Sequence, residues 1–268
     1  MLQIKEFINK NKVLSKIAYN ILYSKEAQKQ YRENKAILNR NEEYHDIFKG
    51  KRCFVIGTGP SLSINDLELL SGEITFAPNR IFELFDKTTW RPTYYINQDH
   101  ALIQSYTNAI KTIDCQSIFL PIEYVDVFQE EKFHFFVLQY KDFYPGFPDF
   151  SKDLTQRLAQ GFTVTYGAIQ LAAYMGFSEI YLLGVDHNYS IIRDANGKPL
   201  KTNSGSTNYA NGMENKMDIS NLPRIEETTL SFEFAERYSR RHGFRIFNAT
   251  RGGKLEAFER VDFDKIIR

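Results

Sequence analysis

The sequence predicts an α/β protein with a Rossmann-like, doubly wound and mainly parallel sheet. Three observations carry that reading. Short apolar runs recur along the chain, segments of helical periodicity separate several of them, and the run RCFVIG at 52–57 passes through a glycine turn into SINDLELL. Strand, turn and helix in that order open a nucleotide-binding α/β unit, and strands covered on both faces read as continuous apolar runs. The 268 residues, 43% apolar and 25% charged with a net charge of +1, suit one large globular domain and exclude a disordered or collagen-like chain.

Charge divides the chain unevenly. Residues 1–52 hold twelve Lys or Arg against six Asp or Glu, a net +6, which leaves −5 for the remainder. We therefore expect a basic extension at 1–50 and a nucleotide-binding body at 51–268. In the extension Leu2, Ile4, Phe7, Ile8, Leu14, Ile17, Ala18, Ile21 and Leu22 recur every three or four residues with lysines between them, which predicts an amphipathic helix over 2–23. Its apolar stripe is expected to dock on the body or on a second subunit, the latter making a homo-oligomer; peripheral contact with an anionic membrane is the alternative. The acidic body argues against nucleic acid as a partner.

The first strand ends at the turn Gly57, Thr58, Gly59, Pro60 and Ser61. Two glycines let backbone pass close to a ligand, and the helix start that follows, capped by Ser61 or Ser63, offers amides to a phosphate. The dinucleotide fingerprint is incomplete, because its third glycine is absent and Asn79 follows the second strand (73–77) where NAD enzymes place a carboxylate. A mononucleotide fits better. Further strands are read at 93–97 (TYYIN), 117–120 (SIFL), 135–139 (FFVLQ), 180–184 (IYLLG) and 245–248 (RIFN). Ligands of such sheets bind beyond the strand carboxyl ends, which singles out Asn79, Gln98, Asp99, Asp186, His187, Tyr189 and Asn248.

A small-residue helix over 167–174 precedes the strand at 180–184, and Thr165, Tyr166 and Gly167 at its start offer amides and hydroxyls to an anion. Asp186 follows that strand, where an Asx turn competes with a ligand role. Residues 190–222 are polar and contain few apolar residues, as a lid over the ligand would be. Helical periodicity returns at 224–241. No secretory signal pattern is present, Cys53 and Cys115 lie far apart, and the histidines lack partners at ligand spacing, so we expect a cytoplasmic chain with neither disulfide nor metal.

Taken together, GTGPSL, APNRIF, VTYGAIQLAAYMGFSEIYLLGVDHNY and NATRGGKLEAF resemble a family of bacterial proteins described as MptE-like, over roughly residues 50–265. That group is similar in pattern to the CMP-sialic-acid-dependent sialyltransferases of glycosyltransferase family 42 and to motility-associated flagellin glycosyltransferases. The resemblance implies a glycosyltransferase that uses a CMP-linked sugar donor and a glycan acceptor in surface polysaccharide or glycoconjugate assembly, without a cofactor or metal. It implies that the turn from Gly57 to Ser61 and Asn79 hold the nucleotide, with Thr58 in place of an asparagine. Thr165, Tyr166 and Gly167 match a Thr-Ser-Gly helix start, Asp186 matches a Gly-Ile-Asp aspartate, and Tyr189 lies near a tyrosine that binds the leaving phosphate. Where those enzymes carry a catalytic histidine followed by an aromatic residue, this chain has Asn208 and Tyr209, and an amide takes no proton at neutral pH. His187 is then a substitute base, or the acceptor is activated otherwise, or the chain is a nucleotide-binding scaffold. The MptE-like label itself implies a further alternative, an ATP-dependent pterin pyrophosphokinase, for which Asp99 and Asp186 can supply carboxylates to Mg²⁺.

Overall fold

The computed structural model describes residues 12–193, 198–202, 208–214 and 222–267. Helix α1 (Lys12–Glu33) and the single turn α2 (Lys35–Leu38) precede strand β1 (Arg52–Ile56). Then come α3 (Ile64–Leu69), β2 (Thr75–Pro78), β3 (Tyr94–Ile96), α4 (His100–Ser105), α5 (Thr107–Lys111), β4 (Ser117–Pro121) and β5 (Phe133–Phe136). The second half holds β6 (Leu138–Gln139), β7 (Leu158–Ala159), α6 (Val164–Tyr174), β8 (Glu179–Leu183), β9 (Ile191–Arg193) and β10 (Pro199–Lys201), followed by α7 (Ile225–Arg241), β11 (Arg245–Asn248), β12 (Glu259–Arg260) and α8 (Phe263–Ile266).

Eight strands form one parallel sheet in the order β12-β11-β8-β1-β2-β3-β4-β5. Alternate residues of the inner strands enter opposite cores. Cys53 and Val55 pack with Phe76, Tyr94, Ile169, Leu171 and Phe232 on the side of α6 and α7. Phe54 and Ile56 pack with Tyr95, Leu67, Ile103, Ile110 and Phe263 on the side of α3, α4, α5 and α8. This two-sided burial explains the unbroken apolar runs. The chain winds from β1 outward to β5, then returns to place β8 on the other side of β1, so the strand order reverses between β1 and β8.

Three expectations change. The run read as one strand at 135–139 is divided: Phe133–Phe136 belongs to the main sheet, whereas Leu138–Gln139 pairs with Leu158–Ala159 in a separate ribbon. The N-terminal helix extends to Glu33, well past residue 23, while residues 1–11 lie outside the described residues. Its apolar stripe also faces away from the body, leaving Val13, Leu14, Ile17, Ile21 and Leu22 exposed. The helix is fixed instead through other residues, including Tyr23 against Tyr140 and Tyr31 against the core. The Asn20 amide exchanges hydrogen bonds with the Asp142 backbone at 2.8 and 3.1 Å, Gln30 donates to Glu123, and Ala27 is buried. Such directional contacts set the helix's rotation, which an apolar count does not register. Leu38, which ends α2, and Asn41 and Tyr44 beyond it are buried, and the backbone amides of Asp46, Phe48 and Gly50 donate to the carbonyls of Tyr174, Met175 and Gly176 at the end of α6.

Of the lid read at 190–222, the described parts are the hairpin β9–β10, residues 208–214 and Leu222; 194–197, 203–207 and 215–221 lie outside the described residues. No helix among the described residues is long and apolar enough to cross a membrane.

Candidate active site

A crevice of about 760 Å³ opens at the carboxyl ends of β1 and β8, where the strand order reverses. The loops that leave these strands lock together. Gly57 N donates to Leu183 O at 2.7 Å and Gly59 N to Gly184 O at 2.9 Å. A Cβ at Gly59 would overlap the Asp186 carboxylate, and one at Gly57 would overlap the Gly184 carbonyl oxygen. Both glycines are therefore demanded by loop-on-loop contact. Their amides are consumed in that seam.

Asp186 completes the seam. Its Oδ2 accepts from Ser61 Oγ at 2.7 Å and from Ser61 N at 3.3 Å, and its own carbonyl accepts from Lys254 N. Burial raises the carboxyl pKa, and the two Ser61 donors oppose the rise. Ser63 caps α3 in a reciprocal pair with Asp66, so that helix start is self-satisfied. The N-terminus of α6, eleven residues long, also meets the crevice, with Thr163, Val164 and Thr165 in the lining, and the Thr163 hydroxyl caps it by accepting from Thr165 N at 3.3 Å. The partial positive charge of its N-terminus lies at the crevice wall.

Among the predicted site residues, Gly57, Thr58, Gly59, Pro60, Asn79, Thr165, Asp186, His187, Tyr189, Asn208 and Tyr209 come together around this one cavity. Ser61 stands behind it as the partner of Asp186. Three others lie outside the lining. Tyr166 is fully buried, its hydroxyl donating to Asp149 O at 2.7 Å, and Gly167 packs toward Leu158 and Gln98. Asn248 spends its amide on the turn after β11, donating to Leu255 O at 2.8 Å and accepting from Thr250 N at 3.0 Å. These side chains shape the fold and do not face a ligand in the crevice.

Tyr189 is half-buried at the crevice wall, and desolvation there pushes its pKa up to about 12, so its hydroxyl stays protonated and able to donate at physiological pH. His187 adopts a left-handed backbone, φ 52°. Its Nε2 lies 2.8 Å from Thr229 Oγ1, whose own proton goes to Ile225 O, so Nε2 carries the hydrogen and Nδ1 the lone pair. Nδ1 is buried without a partner, and burial drives the ring pKa down to about 4. The ring is neutral at physiological pH but weakly basic. Asn208 Oδ1 accepts from Ser190 N at 2.9 Å and Ser190 Oγ at 3.0 Å, which ties the two ends of the 190–208 excursion together.

Arg80 belongs to the lining and was not singled out from the sequence. It is buried, pairs with Glu83 at 3.1 Å, donates to Glu214 O at 2.9 Å and stacks on the Tyr209 ring at 4.4 Å. With Thr58 O accepting from Ala210 N and Lys87 donating to Gly212 O, it holds residues 208–214 across the crevice mouth. Its place two residues past β2 was the available signal. Among the described residues no cluster of three His, Cys, Asp or Glu side chains is arranged to hold a metal.

A two-sided parallel sheet with its cavity at the strand-order reversal defines a doubly wound α/β protein with a ligand crevice. The chain belongs to the family described as 6-hydroxymethylpterin diphosphokinase MptE-like, whose model matches residues 8–191. That match begins at or before α1, so the N-terminal region lies inside the family's shared portion and not outside it as expected. No curated protein matches the chain. Among solved structures, the MAf glycosyltransferase from Magnetospirillum magneticum AMB-1 is similar at 16% identity and a TM-score of 0.47, over 87% of this chain. The chain spans only 38% of that protein's length. The sialyltransferase CstII from Campylobacter jejuni in complex with cytidine-5'-monophosphate matches at 16% identity and TM-score 0.46, over 80% of this chain and 85% of that one. CstII with CMP-3FNeuAc matches at 12% identity and TM-score 0.44, over 79% and 86%.

Proposed function

We propose that the protein is a glycosyltransferase that moves a sugar from a CMP-linked donor to a glycan acceptor in bacterial surface polysaccharide or glycoconjugate assembly, with no metal in the step. The observation that carries this reading is the meeting of Tyr189 and the α6 N-terminus at one cavity. A donor's phosphate set there gains charge as the glycosidic bond breaks, and a hydroxyl that stays protonated to about pH 12 together with a helix N-terminus stabilises that charge. The choice of cytidine rests on the motif resemblance. Membrane contact would use the exposed face of α1, and flotation with anionic vesicles tests it.

A second reading is supported by the family match: pterin diphosphokinase chemistry with ATP and Mg²⁺, drawing on Asp99 and Asp186, which both line the crevice. Calorimetry with CMP, UDP, GDP and ATP, each with and without Mg²⁺, separates the two. Metal-independent CMP binding supports sugar transfer, and ATP binding that requires Mg²⁺ supports the kinase. CMP release from a CMP-sugar then distinguishes an enzyme from a scaffold. A gain in Asn208→His identifies the lid position as a lost base, whereas no gain together with abolished turnover in His187→Ala assigns that role to His187.

A further inference from the structure

A second cavity, of about 1120 Å³, adjoins the first and shares Asn79, Asp99, Thr163, Tyr189 and Tyr209 with it. One wall comes from α1, which contributes Lys16, Tyr19 and Tyr23. Lys16 is held by the Asp142 carboxylate at 3.7 Å and by the Tyr144 carbonyl. The Tyr19 and Tyr23 rings lie 4.4 Å apart with their hydroxyls 2.7 Å apart, and Tyr23 sits 5.4 Å from Tyr140. Tyr140 in turn meets His100 Nε2 at 3.2 Å, while His100 Nδ1 meets the Tyr124 hydroxyl at 3.0 Å.

Three tilted tyrosines side by side make a tiled surface rather than a slot between two parallel rings. A flat heteroaromatic ligand favours a slot. A tiled wall that alternates ring faces with hydroxyls suits a longer ligand with apolar C–H faces and many hydroxyls, and the volume exceeds the upper end of ordinary small-molecule pockets, about 1,000 Å³. Tyr19 is 52% exposed, so its ring is open to such a ligand.

Asp99 stands at the seam between the cavities and is the one carboxylate among the described residues that line both. Its position is fixed from both sides. Its Oδ1 accepts from Ala101 N at 2.9 Å and Leu102 N at 3.1 Å, while its own N–H donates to Asn97 Oδ1 at 2.9 Å, and Asn97 donates to the Tyr95 hydroxyl. The neighbouring His100 has both ring nitrogens on tyrosine hydroxyls.

We propose that the second cavity is the acceptor subsite, that a carbohydrate lies along the Tyr19, Tyr23 and Tyr140 wall, and that Asp99 receives the proton of its attacking hydroxyl. This rests on the first cavity being the donor site. In the step, the acceptor oxygen bonds to the anomeric carbon as the bond from that carbon to the phosphate oxygen breaks. The bonding pair leaves on the phosphate, and the hydroxyl proton passes to the Asp99 carboxylate.

Saturation-transfer NMR on the full chain with CMP present, using lactose, cellobiose, chitotriose and 6-hydroxymethylpterin as probes, tests the assignment. At least one saccharide is expected to bind, and Tyr19→Ala and Tyr23→Ala are expected to weaken it by about tenfold while CMP affinity stays unchanged, a loss on the scale of one removed aromatic contact. Binding of the pterin alone, or saccharide binding indifferent to both substitutions, overturns the subsite. Failure of CMP to bind, with tyrosine-dependent saccharide binding intact, overturns the donor reading and leaves the subsite standing. For the base, Asp99→Asn is expected to lower CMP release from CMP-N-acetylneuraminate in the presence of the bound saccharide by about 10² to 10⁴-fold while saccharide and CMP affinities hold. Turnover equal to wild type overturns that role.

Discussion

Substituting Gly59 by alanine tests the seam on which the crevice depends. The added methyl would overlap the Asp186 carboxylate and stand 2.7 Å from the Gly184 carbonyl oxygen, one a side chain that can rotate and the other backbone that cannot move without shifting β8. Forcing a methyl into a filled space costs about 1–3 kcal/mol. Turning Asp186 aside also breaks its two bonds from Ser61, and hydrogen bonds to a charged group contribute about 1.5–3 kcal/mol. Relaxation will recover part of the sum, so we expect Gly59→Ala to lose about 2–4 kcal/mol in urea denaturation. Because the displaced loop lines the cavity, CMP affinity in calorimetry should fall at least about 30-fold, equivalent to roughly 2 kcal/mol. Gly252→Ala is the control, since a methyl there meets open space and only its left-handed backbone, φ 69°, is strained. Asp186→Ala in the Gly59→Ala background should restore part of the loss by removing one of the two obstacles. A Gly59→Ala protein with wild-type unfolding midpoint and wild-type CMP affinity would refute the argument.

Two further outcomes follow from buried groups. Arg80→Ala leaves Glu83 without its close cation and removes the bond to Glu214, so amide hydrogen exchange across 208–214 should accelerate by at least about tenfold while that of β1 and β8 holds; equal protection in both proteins would show that the segment is held by other contacts. Acid should weaken the fold through His134, which burial holds down to about 4 despite the Glu43 carboxylate 3.6 Å away, because that carboxylate is 59% exposed and screened by water. A depressed folded pKa contributes stability that is complete above the unfolded value near 6.5 and is lost as pH falls toward 4, here about 3 kcal/mol. His187 acts in the same direction, so denaturation midpoints should fall over that window, and His134→Gln should flatten the part owed to His134.

Most of the sheet was legible because its strands are buried on both faces and end in turn residues. The division of 135–139 was not, since an apolar run carries no mark of which neighbour it pairs with. The edge strand Glu259–Arg260 is exposed and charged, and owes its existence to pairing with β11 alone. The crevice could be anticipated from the rule that ligands bind beyond strand ends, yet the rule does not say which post-strand side chain turns inward. Asn248 satisfies its own turn, and Arg80 acquires its place only when a segment more than 120 residues later folds onto it. The glycines were read as positions of close approach to a ligand, and the group that approaches them is another loop of the same chain.

Helix α1 presents two unlike sides, tyrosines toward a cavity and bare aliphatic side chains toward the exterior. An α-helix with its side chains is only about 10–12 Å across. Whatever surface shields Val13, Ile17 and Leu22 therefore lies one rod's width from any hydroxyl resting on Tyr19, and anchoring the protein there would fix the distance between that surface and the substrate it serves.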